Sequence, residues 1–279
     1  MKRFLQIVLV VSILAGTLAL VYTKGIASYE DCKYQLSFYD NFNGSNLDTK
    51  KWNTQYPSGN SGEQQFYSPD AVTLQDGILK ITAEKHTLHG YPYTSGIITT
   101  RGTFSQQYGI FSMRAKLPKG QGFWPAFWML PEQPAYPTEI DIVEMLGGDP
   151  RTIYVSNHWR DAGQDHQKNI ISYRGPDFSL DFHTYSLLWS PTELIWYMDG
   201  IELYRTSKGI PDMPMFLLAN LAVGGHWPGN PDATTSFPSS MQVDYIRVYQ
   251  YQCSSGLDAI ANRVESFIDE SIYGSSTPG

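Results

Sequence analysis

The sequence predicts an all-β fold, either a sandwich or a barrel. Apolar and polar residues alternate in short runs, and this period of two indicates strands with one buried face. Turn signals such as Asp76-Gly77 and Asp199-Gly200 separate the runs at intervals of about eight to twelve residues. About a dozen short strands spaced in this way are typical of a sandwich or a barrel.

The strands are expected in a regular succession along the chain. The first covers residues 34–42, and a hairpin at residues 71–84 turns at Asp76-Gly77. Segments 56–62 and 86–93 are expected to be loops. Further strand-like runs cover residues 97–100, 109–117, 123–130, 139–144, 152–159, 185–189, 194–198, 201–204, 215–223 and 241–251.

The run at residues 123–130 is apolar on both faces. Trp124 and Trp128 share one face, and Phe123, Phe127 and Met129 share the other. Such a strand is central in its sheet, with one face in the core. The tryptophan face is predicted to form a floor on which sugars stack; the alternative is that both tryptophans are core residues.

Three carboxylates lie within six residues, at Glu139, Asp141 and Glu144. Because side chains alternate along a strand, Glu139 and Asp141 share a face, whereas Glu144 would point into the core. Burying an unpaired carboxylate costs several kcal/mol. One extra residue around Ile142-Val143, a β-bulge, would return Glu144 to the face of the other two acids. Bulges are frequent beside active sites because they re-aim a side chain.

Three acids on one sheet face are typical of two chemistries. One is a hard-metal site, since such ions prefer oxygen ligands. The other is glycoside hydrolysis, in which one carboxylate attacks and one carboxylic acid protonates the leaving oxygen. We favour hydrolysis, because the acids lie on one strand and Trp124 and Trp128 precede them, whereas metals usually recruit ligands from several segments. A solvated strand face with scattered acids is the remaining alternative.

The strand at residues 152–159 brings a histidine near these acids if it pairs with the acidic strand. Ile153, Val155 and Trp159 share the face predicted to lie in the core, and His158 lies on the opposite, solvent-facing side. His158 is therefore predicted to reach the acid cluster. A structural hydrogen-bonding role elsewhere is the alternative.

The two ends of the chain indicate export. Residues 1–27 have a basic start, an apolar run at residues 4–22 and small residues at the end, as in a secretory signal peptide. The run is long, so an uncleaved membrane anchor is the alternative. Cys32 and Cys253 are predicted to form a disulfide, with two unpaired thiols as the alternative. Residues 254–279 are expected to form a tail with a short helix.

The composition limits the classes of molecule that the chain is expected to bind. The formal net charge is −7 and the sequence has no basic run, which argues against nucleic acid. Aromatic residues make up 14% of the chain and charged residues only 17%, as expected for a sheet whose open face stacks on something flat and neutral.

The motif Glu139-Ile-Asp-Ile-Val-Glu144 resembles glycoside hydrolase family 16. The segments at residues 117–130, 218–229 and 243–249 are similar to the same family, and the resemblance covers roughly residues 38–251. The bulged spacing E-x-D-x-x-E is similar to the laminarinase-like branch. The resemblance implies a concanavalin-like β-jelly-roll sandwich with a concave substrate cleft, formed by residues 28–253, and a retaining double displacement.

The resemblance also implies roles for the three acids. Glu139 would be the nucleophile, Glu144 the general acid and then the base, and Asp141 the residue between them that holds their ionisation states apart. Retention requires carboxyl groups about 5–5.5 Å apart, and two long side chains on a concave sheet can lean together over the shorter Asp141. Like charges this close raise one pKa, which keeps Glu144 protonated near neutral pH.

The resemblance implies further site residues. Glu63 would lie near the glycone end of the cleft. Sugar subsites would be lined by Trp124, Trp128, Asn220 and Trp227, and His158, predicted above from strand parity, would add a polar group beside the acids. No cofactor is expected to be required, but family members often hold a structural calcium on the convex side. Asp244 matches its acidic ligand, whereas Asn41 stands where many members have Glu.

The expected function is that of a secreted, monomeric endo-β-glucanase that cuts β-1,3 or mixed β-1,3/1,4 glucan. One alternative is an endoglycanase that trims a bacterial exopolysaccharide, which the segments at residues 105–109 and 144–150 resemble. A transglycosylase on the same fold is a second. A non-catalytic glucan-binding protein is a third, although such proteins typically lose the catalytic glutamates that this chain keeps.

Overall fold

The computed structural model describes residues 32–58 and 62–253, with the backbone alone at residues 32, 252 and 253. No α-helix occurs within these residues, and the all-β prediction is confirmed. The strands are β1 (Cys32–Asp40), β2 (Gln65–Tyr67), β3 (Val72–Gln75), β4 (Ile78–Ala83), β5 (Tyr93–Ser95), β6 (Ile97–Thr99), β7 (Gly109–Lys116), β8 (Phe123–Pro131), β9 (Glu139–Met145), β10 (Thr152–Arg160), β11 (His166–Arg174), β12 (His183–Trp189), β13 (Leu194–Met198), β14 (Ile201–Thr206), β15 (Met215–Val223) and β16 (Ser239–Cys253).

The strands form two large sheets and a two-stranded ribbon. The six-stranded sheet has the order β11-β10-β9-β8-β15-β6. The eight-stranded sheet has the order β14-β13-β12-β7-β16-β4-β3, with β1 paired to β16. Strands β2 and β5 pair in parallel. The acidic strand β9 thus lies inside the six-stranded sheet, between β8 and β10.

The chain divides into two units. Leu36–Gln250 form one unit, and everything described below belongs to it. Of the other unit, the structure describes residues 32–35 and 251–253, in which the rings of Tyr34 and Tyr251 lie 5.1 Å apart. The predicted signal or anchor at residues 1–27 and the tail at residues 254–279 lie outside the described residues. The side chains of the predicted Cys32–Cys253 disulfide are also outside them.

The hydrophobic core lies between the two large sheets. It joins Phe127 and Ile140 of the six-stranded sheet to Phe111, Trp196 and Ile246 of the eight-stranded sheet. All five side chains are fully buried. The six-stranded sheet therefore has one face in the core and keeps its other face for the acids.

Strand β8 has the two faces that its sequence predicts. Phe123, Phe127 and Met129 are fully buried in the core. Trp124 and Trp128 are half-buried on the opposite face. The floor of tryptophans predicted from the alternation is therefore present.

The structure also contains strands that the sequence did not indicate. Strand β11 reads as polar, and its residues alternate between exposed and half-buried, because it lies at the edge of its sheet and pairs only with β10. Strands β2 and β5 are too short to show a period.

Trp159, expected in the core, is only half-buried, and Gly209 packs against its ring. Among the described residues, no helix is long and apolar enough to cross a bilayer.

Candidate active site

The bulge expected in β9 is present at Ile142. The two successive residues of β8 that face Val143 and Asp141 leave Ile142 without a partner on that strand. The register with β10 shifts at the same place. Glu144 consequently lines the same cavity as Glu139 and Asp141, although plain alternation would have turned it into the core.

Asp141 lies at the centre of the polar contacts. Its Oδ2 accepts a hydrogen bond from the Ser156 hydroxyl, and its carboxyl shares another with Glu139. His158 Nε2 lies 3.6 Å from the same Oδ2, and His158 Nδ1 lies 3.0 Å from Nε2 of His166. Burial, and then neighbouring basic side chains, lower the pKa of His158 to about 4. His158 is therefore neutral at pH 7 and lies beside Asp141 as an uncharged ring, whose Nε2 is 3.4 Å from the Ser156 hydroxyl.

Glu144 is held by a tryptophan of the floor. Trp124 Nε1 donates a hydrogen bond of 2.9 Å to Glu144 Oε1, and only 8% of Glu144 is exposed. This bond favours the ionised carboxylate. A general acid at this position would need such support after it has given up its proton.

A chain of hydrogen bonds leads from the floor to Glu63. Trp128 Nε1 donates to Asn220 Oδ1 at 2.8 Å, and Asn220 Nδ2 donates to the Tyr67 hydroxyl at 2.9 Å. Gln65 Nε2 donates to Glu63 Oε2 at 2.6 Å, and the Tyr67 hydroxyl lies 3.4 Å from that oxygen. The chain holds the amide of Asn220 and the carboxyl of Glu63 in defined orientations at one side of the cavity.

One cavity contains the acids, the tryptophan floor and this hydrogen-bonded chain. Its volume is about 370 Å³, close to the lower limit for small-molecule sites. Its lining residues are Tyr56, Glu63, Tyr67, Trp124, Ala126, Trp128, Leu130, Tyr136, Glu139, Asp141, Glu144, Asn220 and Ala222.

Trp227 lies beside this cavity, not in its lining. Its ring centroid is 5.5 Å from that of Trp124 and 4.8 Å from that of Tyr154. It is 39% exposed. Trp227 therefore supports Trp124 and extends the aromatic surface outward.

Burial raises the pKa of all three carboxyls, and neighbouring negative charges add to the rise at Glu139 and Glu144. Burial, the charge of Asp141 and the charge of Glu144 raise the pKa of Glu139 well above its usual range. Burial raises the pKa of Asp141 to about 7, against the effect of its hydrogen bonds. Burial and then the charge of Asp141 raise the pKa of Glu144, and the Trp124 hydrogen bond opposes that rise. Because the three carboxyls interact, the loss of a proton from one changes the acidity of the other two.

Three tyrosines of the cavity, and the serine that donates to Asp141, were not predicted. Tyr56 and Tyr136 lie outside the strands, where no period marks a side chain's direction. Tyr67 lies in the short strand β2. Ser156 shares the strand parity of His158, and that parity was the available signal for it.

Two places are candidates for a cation, and they differ in the ligand atoms available there: the acids with His158, and the expected calcium position. Glu139, Asp141 and His158 bring one ligand atom each within 4.8 Å of one another, so this geometry alone also allows a metal. At the expected calcium position, Asp244 Oδ2 pairs with Arg114 Nη1 at 2.5 Å. Asn41 Oδ1 accepts two hydrogen bonds from an arginine. Calcium takes six to eight oxygen ligands, and these two side chains, both bound to guanidinium groups, do not fit that set.

Comparison with known proteins relates this geometry to one family. The model for glycosyl hydrolases family 16 matches residues 59–247. The chain is 38% identical over 206 residues to the endo-1,3-1,4-beta-glycanase ExsH of Rhizobium meliloti (strain 1021), covering 68% of this chain and 43% of that protein. It is 34% identical over 252 residues to a beta-glucanase of Rhodothermus marinus, covering 78% of this chain and 86% of that protein. The chain thus spans about two fifths of the length of the Rhizobium meliloti relatives, 43% and 41%.

Solved structures agree with the sequence relatives. The laminarinase catalytic domain from Thermotoga maritima MSB8 superposes with a TM-score of 0.72 at 39% identity, covering 78% of this chain and 98% of that one. The jelly-roll sandwich implied by the resemblance is therefore confirmed. Because the family match covers the six-stranded sheet, its bulged strand and every cavity residue but Tyr56, the chain belongs to the glycosyl hydrolases of family 16.

Proposed function

We propose that this protein is an endo-β-glucanase that hydrolyses internal β-1,3 or mixed β-1,3/1,4 glucosidic bonds. The observation that carries the proposal is the bulge at Ile142, which brings Glu139, Asp141 and Glu144 into one cavity floored by Trp124. Relatives named endo-1,3-1,4-beta-glycanase and glucan endo-1,3-beta-glucosidase support the substrate class.

The proposed mechanism is a double displacement with retention. The ionised Glu139 attacks the anomeric carbon while Glu144 protonates the glycosidic oxygen, so that a covalent glycosyl-enzyme forms and the aglycone leaves. Glu144, now a carboxylate stabilised by the Trp124 hydrogen bond, takes a proton from water. The water oxygen attacks the anomeric carbon and releases Glu139.

Asp141 is proposed to control the protonation states of the two glutamates during this reaction. It hydrogen-bonds Glu139, and its charge contributes to the raised pKa of Glu144. Keeping Glu144 protonated while Glu139 is ionised requires environments that push the two pKa values apart. Burial and Asp141 also raise the pKa of Glu139, so this division of roles requires Asp141 to hold the proton of their shared hydrogen bond while Glu139 is ionised.

Sugar binding is proposed to use the rest of the cavity. Trp124 and Trp128 provide flat faces for pyranose rings, and the Asn220 amide and Glu63 carboxyl provide polar contacts. Trp227 would add an outer contact beside Trp124.

Export, attachment and assembly are proposed from the sequence. Residues 1–27 act as a secretory signal or keep the protein attached to a membrane through residues 4–22. The mature protein works outside the cytoplasm as a monomer, with the Cys32–Cys253 bridge formed. Catalysis uses no cofactor.

A second candidate function is the trimming of a bacterial exopolysaccharide, and a charged edge of the cleft favours it. In the β10–β11 register His158 faces Lys168 and Arg160 faces His166, so these side chains share the face of the acids. Arg160, His166 and Lys168 are exposed there, on a chain whose net charge is −7. A polysaccharide with carboxylate substituents would meet positive charge at this edge.

One set of assays tests the proposal and separates its alternatives. Wild-type protein is incubated with laminarin, lichenan and agarose, and products are resolved by size and anomeric configuration. Internal cleavage of laminarin or lichenan with retention supports the proposal. Longer products at high oligosaccharide concentration identify a transglycosylase, and binding without cleavage identifies a glucan-binding protein.

Variants then test the assignment. Glu139→Ala should abolish hydrolysis and leave oligosaccharide binding largely intact. Glu193→Ala, in the turn before β13, should behave as wild type. Activity that survives Glu139→Ala would show that the nucleophile is another residue. For the second candidate, Lys168→Gln should slow cleavage of carboxymethylated glucan but not of its neutral parent, with Lys80→Gln as control.

A further inference from the structure

A backbone carbonyl beside the bulge in β9 accepts a hydrogen bond from outside its own sheet. At a bulge the ladder is interrupted, and the buried polar groups of the extra residue's neighbours need other partners. The carbonyl oxygen of Asp141, directly before Ile142, accepts a hydrogen bond of 2.9 Å from Trp196 Nε1. Asp141 is 3% exposed and Trp196 is fully buried, so no water replaces this bond.

This hydrogen bond crosses the core from one sheet to the other. Trp196 lies in β13 of the eight-stranded sheet, and its indole ring packs beside Tyr204 with 5.6 Å between centroids. The donor is therefore anchored in a strand that has no residue in the cavity. Losing this bond would take a buried hydrogen-bond donor away from the carbonyl, and the backbone at the bulge would shift in response.

We propose that Trp196 is a positioning residue, which fixes the bulge of β9 and thereby the place of Glu144 relative to Glu139. The proposal rests on the roles proposed for these two glutamates. Trp196 touches no substrate. It acts through the Asp141 carbonyl, because the bulge decides on which face of the sheet Glu144 emerges.

The chain offers a matched control. Trp189 lies in the neighbouring strand β12, is 1% exposed, and its Nε1 donates to the Pro211 carbonyl at 3.2 Å. Trp189→Phe and Trp196→Phe therefore remove the same N–H from equally buried rings of the same sheet. Only Trp196→Phe removes a partner of the acidic strand.

The first test compares kinetics on lichenan, well below both melting temperatures. We expect Trp196→Phe to lower kcat by about 10- to 100-fold with KM within about threefold, because a small misplacement of a reacting group is costly and the sugar floor is unchanged. Trp189→Phe should keep kcat within about twofold. Equal losses in both variants, or none in either, would overturn the proposal and leave the proposed function standing.

A second measurement needs no turnover. Carboxyl ¹³C NMR follows the titration of Glu144 in both variants. In Trp196→Phe the curve should move to lower pH, because a displaced Glu144 is more hydrated and farther from Asp141, and in Trp189→Phe it should stay. An unmoved curve in Trp196→Phe counts against the proposal even if the protein cleaves no glucan. If Trp196→Phe does not fold, benzothienylalanine at position 196, which has the shape of tryptophan without the N–H, replaces it.

Discussion

Replacing Asp141 by Asn should make the protein more stable at alkaline pH. Burial raises the pKa of Asp141 from 3.8 to about 7. Its folded pKa thus lies above its unfolded pKa, so the folded state keeps a proton that the unfolded chain releases, and stability falls as pH rises from about 4 to about 7. Asn carries no charge and can still accept the hydrogen bond from Ser156.

The size of the effect follows from the shift. About three pKa units at 1.36 kcal/mol each correspond to about 4 kcal/mol at pH 8. Because the three carboxyls interact, replacing one recovers part of this figure, and we expect about 2 kcal/mol. For a domain of this size that amounts to about 4–8 °C in Tm.

Thermal unfolding of the wild type and of Asp141→Asn at pH 4, 6 and 8 measures the difference between their Tm values. Asp141→Asn should melt higher than wild type at pH 8, and the gap should close toward pH 4. Asp149→Asn is the control, since hydrogen bonds, that of Thr152 first, lower the pKa of this exposed carboxyl, and its removal should give no gain at pH 8. An Asp141→Asn protein that is no more stable at pH 8, or whose gap does not depend on pH, would refute the electrostatic reasoning.

Three further outcomes are expected. Trp124→Phe removes the N–H that favours ionised Glu144, so the pKa of Glu144 should rise. The basic limb of the pH profile of kcat/KM should then move up by roughly one pH unit, and kcat should fall about tenfold. A basic limb that does not move would contradict this reasoning. Asn220→Ala leaves the Trp128 indole N–H without its acceptor, which should raise KM for laminari-oligosaccharides several-fold and cost about 1–2 kcal/mol in urea unfolding. EDTA should change Tm by less than about 1 °C, because Asp244 is already paired with an arginine; a large drop reversed by calcium would mean that a metal displaces that arginine.

The sequence predicts those parts of the fold that have a period. Alternation separated the core face of β8 from its tryptophan face, and the parity of Glu144 predicted a bulge that the register confirms. Both predictions work because a strand allows only two directions for a side chain. A buried carboxylate is costly enough to make the wrong direction recognisable.

The remainder of the site depends on contacts between segments distant in sequence. Tyr67 reaches Asn220 across 153 residues, and Trp196 reaches Asp141 across 55. Neither pair has a local pattern, since each depends on how strands stack or pair after folding. The edge strand β11 was missed for a related reason, because a strand with little to bury has no apolar alternation to detect.

Because of the bulge, β9 should respond differently to substitutions and to changes in its length. Ile140, Ile142 and Val143 are enclosed by apolar side chains, so exchanges among aliphatic residues of similar volume should keep the fold and the activity. Losing or gaining a single codon between Asp141 and Glu144 is a different kind of change. It would make the spacing from Asp141 even, so Glu144 would share the face of Asp141 only if the strand lost its bulge and became regular. In a family alignment the spacing and the bulge should therefore change together: an odd spacing between the last two acids requires the bulge, and an even spacing requires a regular strand.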